Sequence, residues 1–161
     1  MLRVRREKNG TLLVSMDKQT AEILGELPRR LRSVLERPDF ADRVVQRLFP
    51  PAYRTQKEET EYRKLLGSDL LKRKLESVEA FEKTLRGRKD GVLQVQLRVV
   101  AEDVELWLGF VNDMRLLLGT ELDIRDESRG HTFDPSHPQA ADMALLHFLS
   151  WLEEELLKAL P

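Results

Sequence analysis

Residues 104–122 constrain the fold more than any other part of the chain. They read Val-Glu-Leu-Trp-Leu-Gly-Phe-Val-Asn-Asp-Met-Arg-Leu-Leu-Leu-Gly-Thr-Glu-Leu. Val104, Trp107, Leu108, Val111, Met114, Leu118 and Leu122 recur at helical spacing, so the segment is a helix with an apolar stripe that other elements must cover. At about 100° per residue, Arg115 falls inside that stripe. A guanidinium facing a core needs a partner, because an unpaired buried charge is strongly destabilising. Asn112 lies one turn away, and the carboxylate of Asp69 or Asp142 is the expected partner, since the planar Arg fork fits a carboxylate in a bidentate manner. The expectation is therefore a structural hub at Arg115, with an anion-binding pocket as the functional alternative. Asp113 points away from the stripe, towards solvent or another element.

A chain of 161 residues with 41% apolar content suits one domain, 1–161, around one core. The 34% charged share fits long solvated helices. The absence of cysteine excludes disulfides, thiolate zinc sites, cysteine nucleophiles and thiol switches. No stretch approaches the ~18 apolar residues of a membrane span, and no apolar run follows Met1-Leu2-Arg3, so a cytoplasmic protein without a signal peptide is expected. Charge is divided unevenly. Residues 1–90 hold 22 basic and 15 acidic side chains, and residues 91–161 hold 5 and 13. Such a split can mark a surface for an acidic partner, although blocks of charge more often decorate solvated faces.

Leu2 to Ser15 reads as a hairpin turning at Asn9-Gly10 through two positive φ angles. Asp17 caps a helix whose apolar face is Leu24, Leu27, Leu31, Val34 and Leu35; Pro28 kinks it or begins a second helix. Arg37-Pro38 breaks the chain before a short helix, Phe40 to Phe49, with Val44, Val45 and Leu48 inward. After Pro50-Pro51 the pattern predicts a helix from Gln56 to Leu66 stopped by Gly67, then one from Asp69 to Leu85 capped by Ser68. Val92 to Leu97 alternates as a half-buried strand with Leu93, Val95 and Leu97 on one face. The long helix spans Val99 to Glu121, residues 123–137 form a polar loop, and a last helix opens at Pro138 with Leu145, Phe148, Leu149, Leu152 and Leu156 inward. The fold class is α+β, mostly α: a helical bundle with a small antiparallel sheet made of the N-terminal hairpin and one later strand.

Trp107-Leu108, Asn112-Asp113-Met114-Arg115-Leu116, Leu118-Gly119 and Leu122 carry a family resemblance. Pro51-Ala52-Tyr53, Glu61-Tyr62-Arg63-Lys64-Leu65, Asp69-Leu70 and Trp151-Leu152 agree with it in order. Over nearly the whole chain the sequence resembles the bacterial domain-of-unknown-function family twenty-seventeen. The resemblance implies no established enzyme activity. That family is also labelled similar to AosR, an actinobacterial oxidative-stress regulator working through cysteine oxidation, a mechanism that a cysteine-free chain cannot follow. It also implies an uninterrupted first helix, from which Pro28 departs.

Other chemistry is sparse. His131, Asp134 and His137 share the polar loop and His147 lies on the last helix, but loop histidines beside prolines usually serve turns and caps, so no metal and no cofactor are expected. Arg29, Arg30 and Arg32, with Arg37, form a basic cluster. Lys72, Arg73 and Lys74 form a second, and Arg86, Arg88 and Lys89 a third; the first two are the candidate nucleic-acid surface. Aromatics are not interleaved among them for base stacking. Gly-rich phosphate loops, His-Glu-Xaa-Xaa-His helices and nucleophile elbows do not occur. The leading expectation is a non-enzymatic interaction or regulatory module with a protein partner. The first alternative is a nucleic-acid-associated transcriptional regulator using the basic N-terminal half, and the second is a small-ligand or metal-dependent enzyme. A homodimer is left open and no membrane association is expected.

Overall fold

The computed structural model describes residues 2–39, 41–50, 56–125 and 139–161. Strands β1 (Arg3–Arg6) and β2 (Leu12–Asp17) form the expected hairpin, with Arg3 opposite Ser15 and Arg6 opposite Leu12. Its turn differs from the two-residue form. The Gly10 N–H closes on the Glu7 carbonyl at 3.0 Å and the Glu7 N–H on the Thr11 carbonyl at 2.8 Å. Gly10 alone takes a positive φ, +88°, as in three-residue loops that end on a left-handed glycine. Asn9 contributes through its side chain instead, accepting from the Thr11 N–H at 3.1 Å.

Strand β3 (Lys89–Asp90) and strand β4 (Gln94–Val99) complete an antiparallel sheet in the order β1-β2-β4-β3. The later strand starts two residues after its expected position. The Gly91 N–H closes on the Gln94 carbonyl at 2.7 Å, so residues 91–93 are spent on a tight turn. Leu93, expected in the core, is 80% exposed there, and Val92 is 90% exposed. The period-two alternation itself is correct and shifts onward: Val95, Leu97 and Val99 are buried, and they meet Leu12, Val14 and Met16 of β2 on the face covered by helices.

Helix α1 (Lys18–Leu35) begins at Asp17, whose carboxylate accepts from the Thr20 N–H at 2.8 Å. It runs unbroken through Pro28, which withholds the donor that the Leu24 carbonyl would otherwise accept; its ring is buried with Leu24, Leu27, Leu31 and Leu35. Helix α2 (Arg43–Leu48) is shorter than expected and is capped by Asp42, with Val44, Val45 and Leu48 buried. Helix α3 (Gln56–Arg86) is one element where two were expected. A glycine inside a helix costs only about 1 kcal/mol, too little for Gly67 to end a helix held elsewhere by packing. A 3-10 turn (Ala101–Asp103) leads into α4 (Val104–Arg125), which starts five residues late because Val99 belongs to β4. Helix α5 (Ala140–Lys158) closes the chain. The Pro51-Ala52-Tyr53 segment and the loop expected over most of 123–137, with Pro138, lie outside the described residues.

Helix α4 is central. It packs against α2, α3 and α5, and Trp107, Phe110, Val111, Met114, Leu117 and Leu118 are all buried. The Phe81 ring of α3 sits 4.1 Å from the Phe110 centroid and 4.6 Å from that of Trp107, whose Nε1 donates to Thr84 Oγ1 at 3.2 Å. Among the described residues no helix is long and apolar enough to cross a membrane.

Candidate functional site

Arg115 is not at the centre of the buried stripe. Because α4 is covered on more than one side, the true core rows include Phe110 and Leu117, and Arg115 falls at the rim facing α5. Its Nη1 pairs with the Glu153 carboxylate, and its Nε donates to Ser150 Oγ at 3.1 Å. The side chain is 36% exposed. The expected partners are elsewhere: Asp69 and Asn112 are exposed, and Asp142 pairs with Arg30. Arg115 thus ties α4 to α5 at the edge of the core. Arg115→Met is expected to destabilise by about 1 kcal/mol, the scale of a partly exposed pair, as read by the shift in denaturant midpoint.

The buried charge on α4 is Asp113, only 4% exposed. Lys74 of α3 reaches it at 2.9 Å, and the same ammonium lies 5.7 Å from the centroid of Phe49. Burial pushes the Asp113 carboxyl above its ordinary value, against the pull of Lys74. A second apolar row, Phe110 to Leu117 with Asp113 between them, was the signal for this burial; a single-stripe reading of the helix passes over it.

The two expected basic surfaces dissolve into separate ion pairs. Arg29 pairs with Glu26 on its own helix, and Arg32 with Glu82 of α3. Arg30 reaches Glu121 of α4 at 2.9 Å and Asp142 of α5 at 3.1 Å, tying three helices together. Arg73 lies 3.5 Å from Glu105, Lys74 holds Asp113, and Lys72 is exposed. Arg88 of the third cluster engages Asp90 and Glu22. With most of these cations matched by carboxylates, the clusters do not form one free basic face.

His131, Asp134 and His137 lie outside the described residues, and His147 is exposed on α5. Among the described residues, no group of three or more His, Asp or Glu side chains is arranged to hold a metal ion.

What the geometry does bring together is apolar. Helices α1 and α5 each pack on other elements and make little direct contact, leaving a groove of about 480 Å³ between them. Ile23 and Leu27 line one wall, and Ala141, Ala144, Leu145 and Phe148 the other. The two alanines keep the α5 wall low, and Ile23 at the lip is 45% exposed. The Arg30–Asp142 pair lies at the groove, giving it a polar boundary. Phe148 continues edge-on to Trp151, at 6.3 Å between centroids, and Trp151 is 43% exposed. The expected α5 stripe thus divides: Leu149, Leu152 and Leu156 are core, while Leu145 and Phe148 face the groove.

No curated protein and no solved structure matches this chain. A family model described as a domain of unknown function, DUF2017, matches residues 1–160, and the chain belongs to that family.

Proposed function

We propose that the protein is a non-enzymatic interaction module whose α1–α5 groove seats the apolar face of an amphipathic helix from a protein partner. The observation that carries this reading is the groove itself: an open apolar trough walled by two helices, with large side chains left partly in water. From Thr20 to Arg30 the α1 wall rises about 15 Å, enough for anchors at i, i+4 and i+7 of a docked helix. Any regulatory role would act through that partner.

A photo-crosslinking side chain placed at Ile23 in the native host tests this. Adducts are expected at Ile23 and not at exposed Lys57 of α3, and Ala144→Glu, which fills the trough with a charge, is expected to suppress them. Mass spectrometry of the linked peptide should find apolar residues at i, i+4 and i+7. Equal labelling from Lys57, or adducts indifferent to Ala144→Glu, would sink the reading.

A further inference from the structure

The sheet has a second face, turned away from the helices. The register places Arg3, Ser15, Gln96 and Lys89 in one row across its four strands, and Arg5, Leu13 and Arg98 in the next. Neighbouring strands lie about 4.8 Å apart and the two rows about 6.8 Å apart, so these side chains stand side by side on one face. Arg3, Arg5, Ser15 and Gln96 rim a shallow depression of about 180 Å³ floored by Leu13, which is 6% exposed. The helix-borne arginines 29, 30, 32, 73 and 115 are each matched to a carboxylate. Among the described residues, the Arg3, Arg5, Ser15 and Gln96 side chains make no ion pair or hydrogen bond. Two carboxylates near this face already have partners: Glu7 pairs with Arg98 of the second row at 2.9 Å, and Asp17 accepts from the Thr20 N–H.

We propose that this face binds a phosphorylated small molecule, its single phosphoryl group seated between Arg3 and Arg5. Guanidinium forks suit phosphate oxygens, and the Ser15 hydroxyl and Gln96 amide supply further donors. A depression of about 180 Å³ has room for a phosphoryl group and the first atoms of the group it esterifies. The face offers no aromatic side chain among these residues on which nucleic-acid bases could stack. The site lies across the sheet from the helices that form the groove, so it stands or falls independently of the groove reading.

The test is a titration of the folded protein with inorganic phosphate and with O-phosphoserine, followed by amide NMR shifts, with sodium chloride at matched ionic strength as control. Saturable shifts are expected at Arg3, Arg5, Leu13, Ser15 and Gln96. Arg3→Gln/Arg5→Gln should weaken both ligands about tenfold or more while leaving the melting temperature unchanged, because both positions are exposed. Saturation by phosphate with none by O-phosphoserine would identify a free-anion site and overturn the esterified-ligand proposal. Shifts reproduced by chloride, or unaltered in the double variant, would overturn it outright. A DNA duplex that binds more tightly than O-phosphoserine, with shifts spreading to Lys89 and Arg98, would also overturn it by reassigning the face to a nucleic-acid backbone.

Discussion

Phe81→Ala is expected to remove about 3–5 kcal/mol of stability. Phe81 is fully buried and joins α3 to the central helix by lying against both Phe110 and Trp107. Truncation deletes the ring's apolar burial and opens a cavity that neighbours fill poorly. Trp107 cannot simply swing in, because its Nε1 is tied to Thr84 Oγ1 on the same helix as the lost ring. A loss of this size is a large part of the 5–15 kcal/mol that holds a typical domain. It should lower the melting temperature by about 6–20 °C for a chain of this length. Phe81→Leu, which retains much of the volume, should lose less than half as much. Denaturant melts of the two variants check this; Phe81→Ala within about 1 kcal/mol of the parent would show that α3 and α4 are held together by other contacts.

The same three-ring contact shows what the sequence makes legible. Periodicity located α4, and the stripe through Trp107, Val111, Met114 and Leu118 is buried as expected. The apolar row of Phe110 and Leu117 is also visible in the sequence, but its burial follows from α4 being covered by α2, α3 and α5 together, which no local window contains. That omission also moved the buried charge from Asp113 to Arg115. The α+β class was legible because the Asn9-Gly10 turn marks the hairpin, while the later strand and the helices carry their own periods. The second hairpin leaves no sequence signal because β3 is two polar residues, recognisable only once β4 pairs with them. Charged clusters were least legible. Arg30 looks like part of a basic run until chain reversal brings Glu121 and Asp142, 91 and 112 positions away, against it. Arg3 and Arg5 are two ordinary cations of a hairpin in the sequence, and gain meaning only when Ser15 and Gln96 arrive beside them in register.

Lys74→Met is expected to destabilise the protein at neutral pH by about 3–5 kcal/mol, because it strands the Asp113 carboxylate in the interior without its cation. The cost should shrink on acidification. Burial already holds the Asp113 pKa above its ordinary 3.8 with Lys74 in place, and without Lys74 it must rise further. A carboxyl whose folded pKa is raised binds its proton more tightly in the native state. Its stabilising contribution is full below pH 3.8 and is lost as pH rises through the folded value. Asp17 acts in the opposite sense. The Thr20 N–H lowers its pKa, so its contribution is present above 3.8 and is lost as pH falls through the lowered value. Denaturant melts of parent and Lys74→Met from pH 4 to 7 should therefore converge towards acid. Lys74→Met/Asp113→Leu, with both charges gone, should regain most of the loss at pH 7 and show no such convergence. A Lys74→Met penalty constant across that range would mean that Asp113 stays ionised with water in place of lysine, and the α3–α4 junction would then be wet where its packing has it dry.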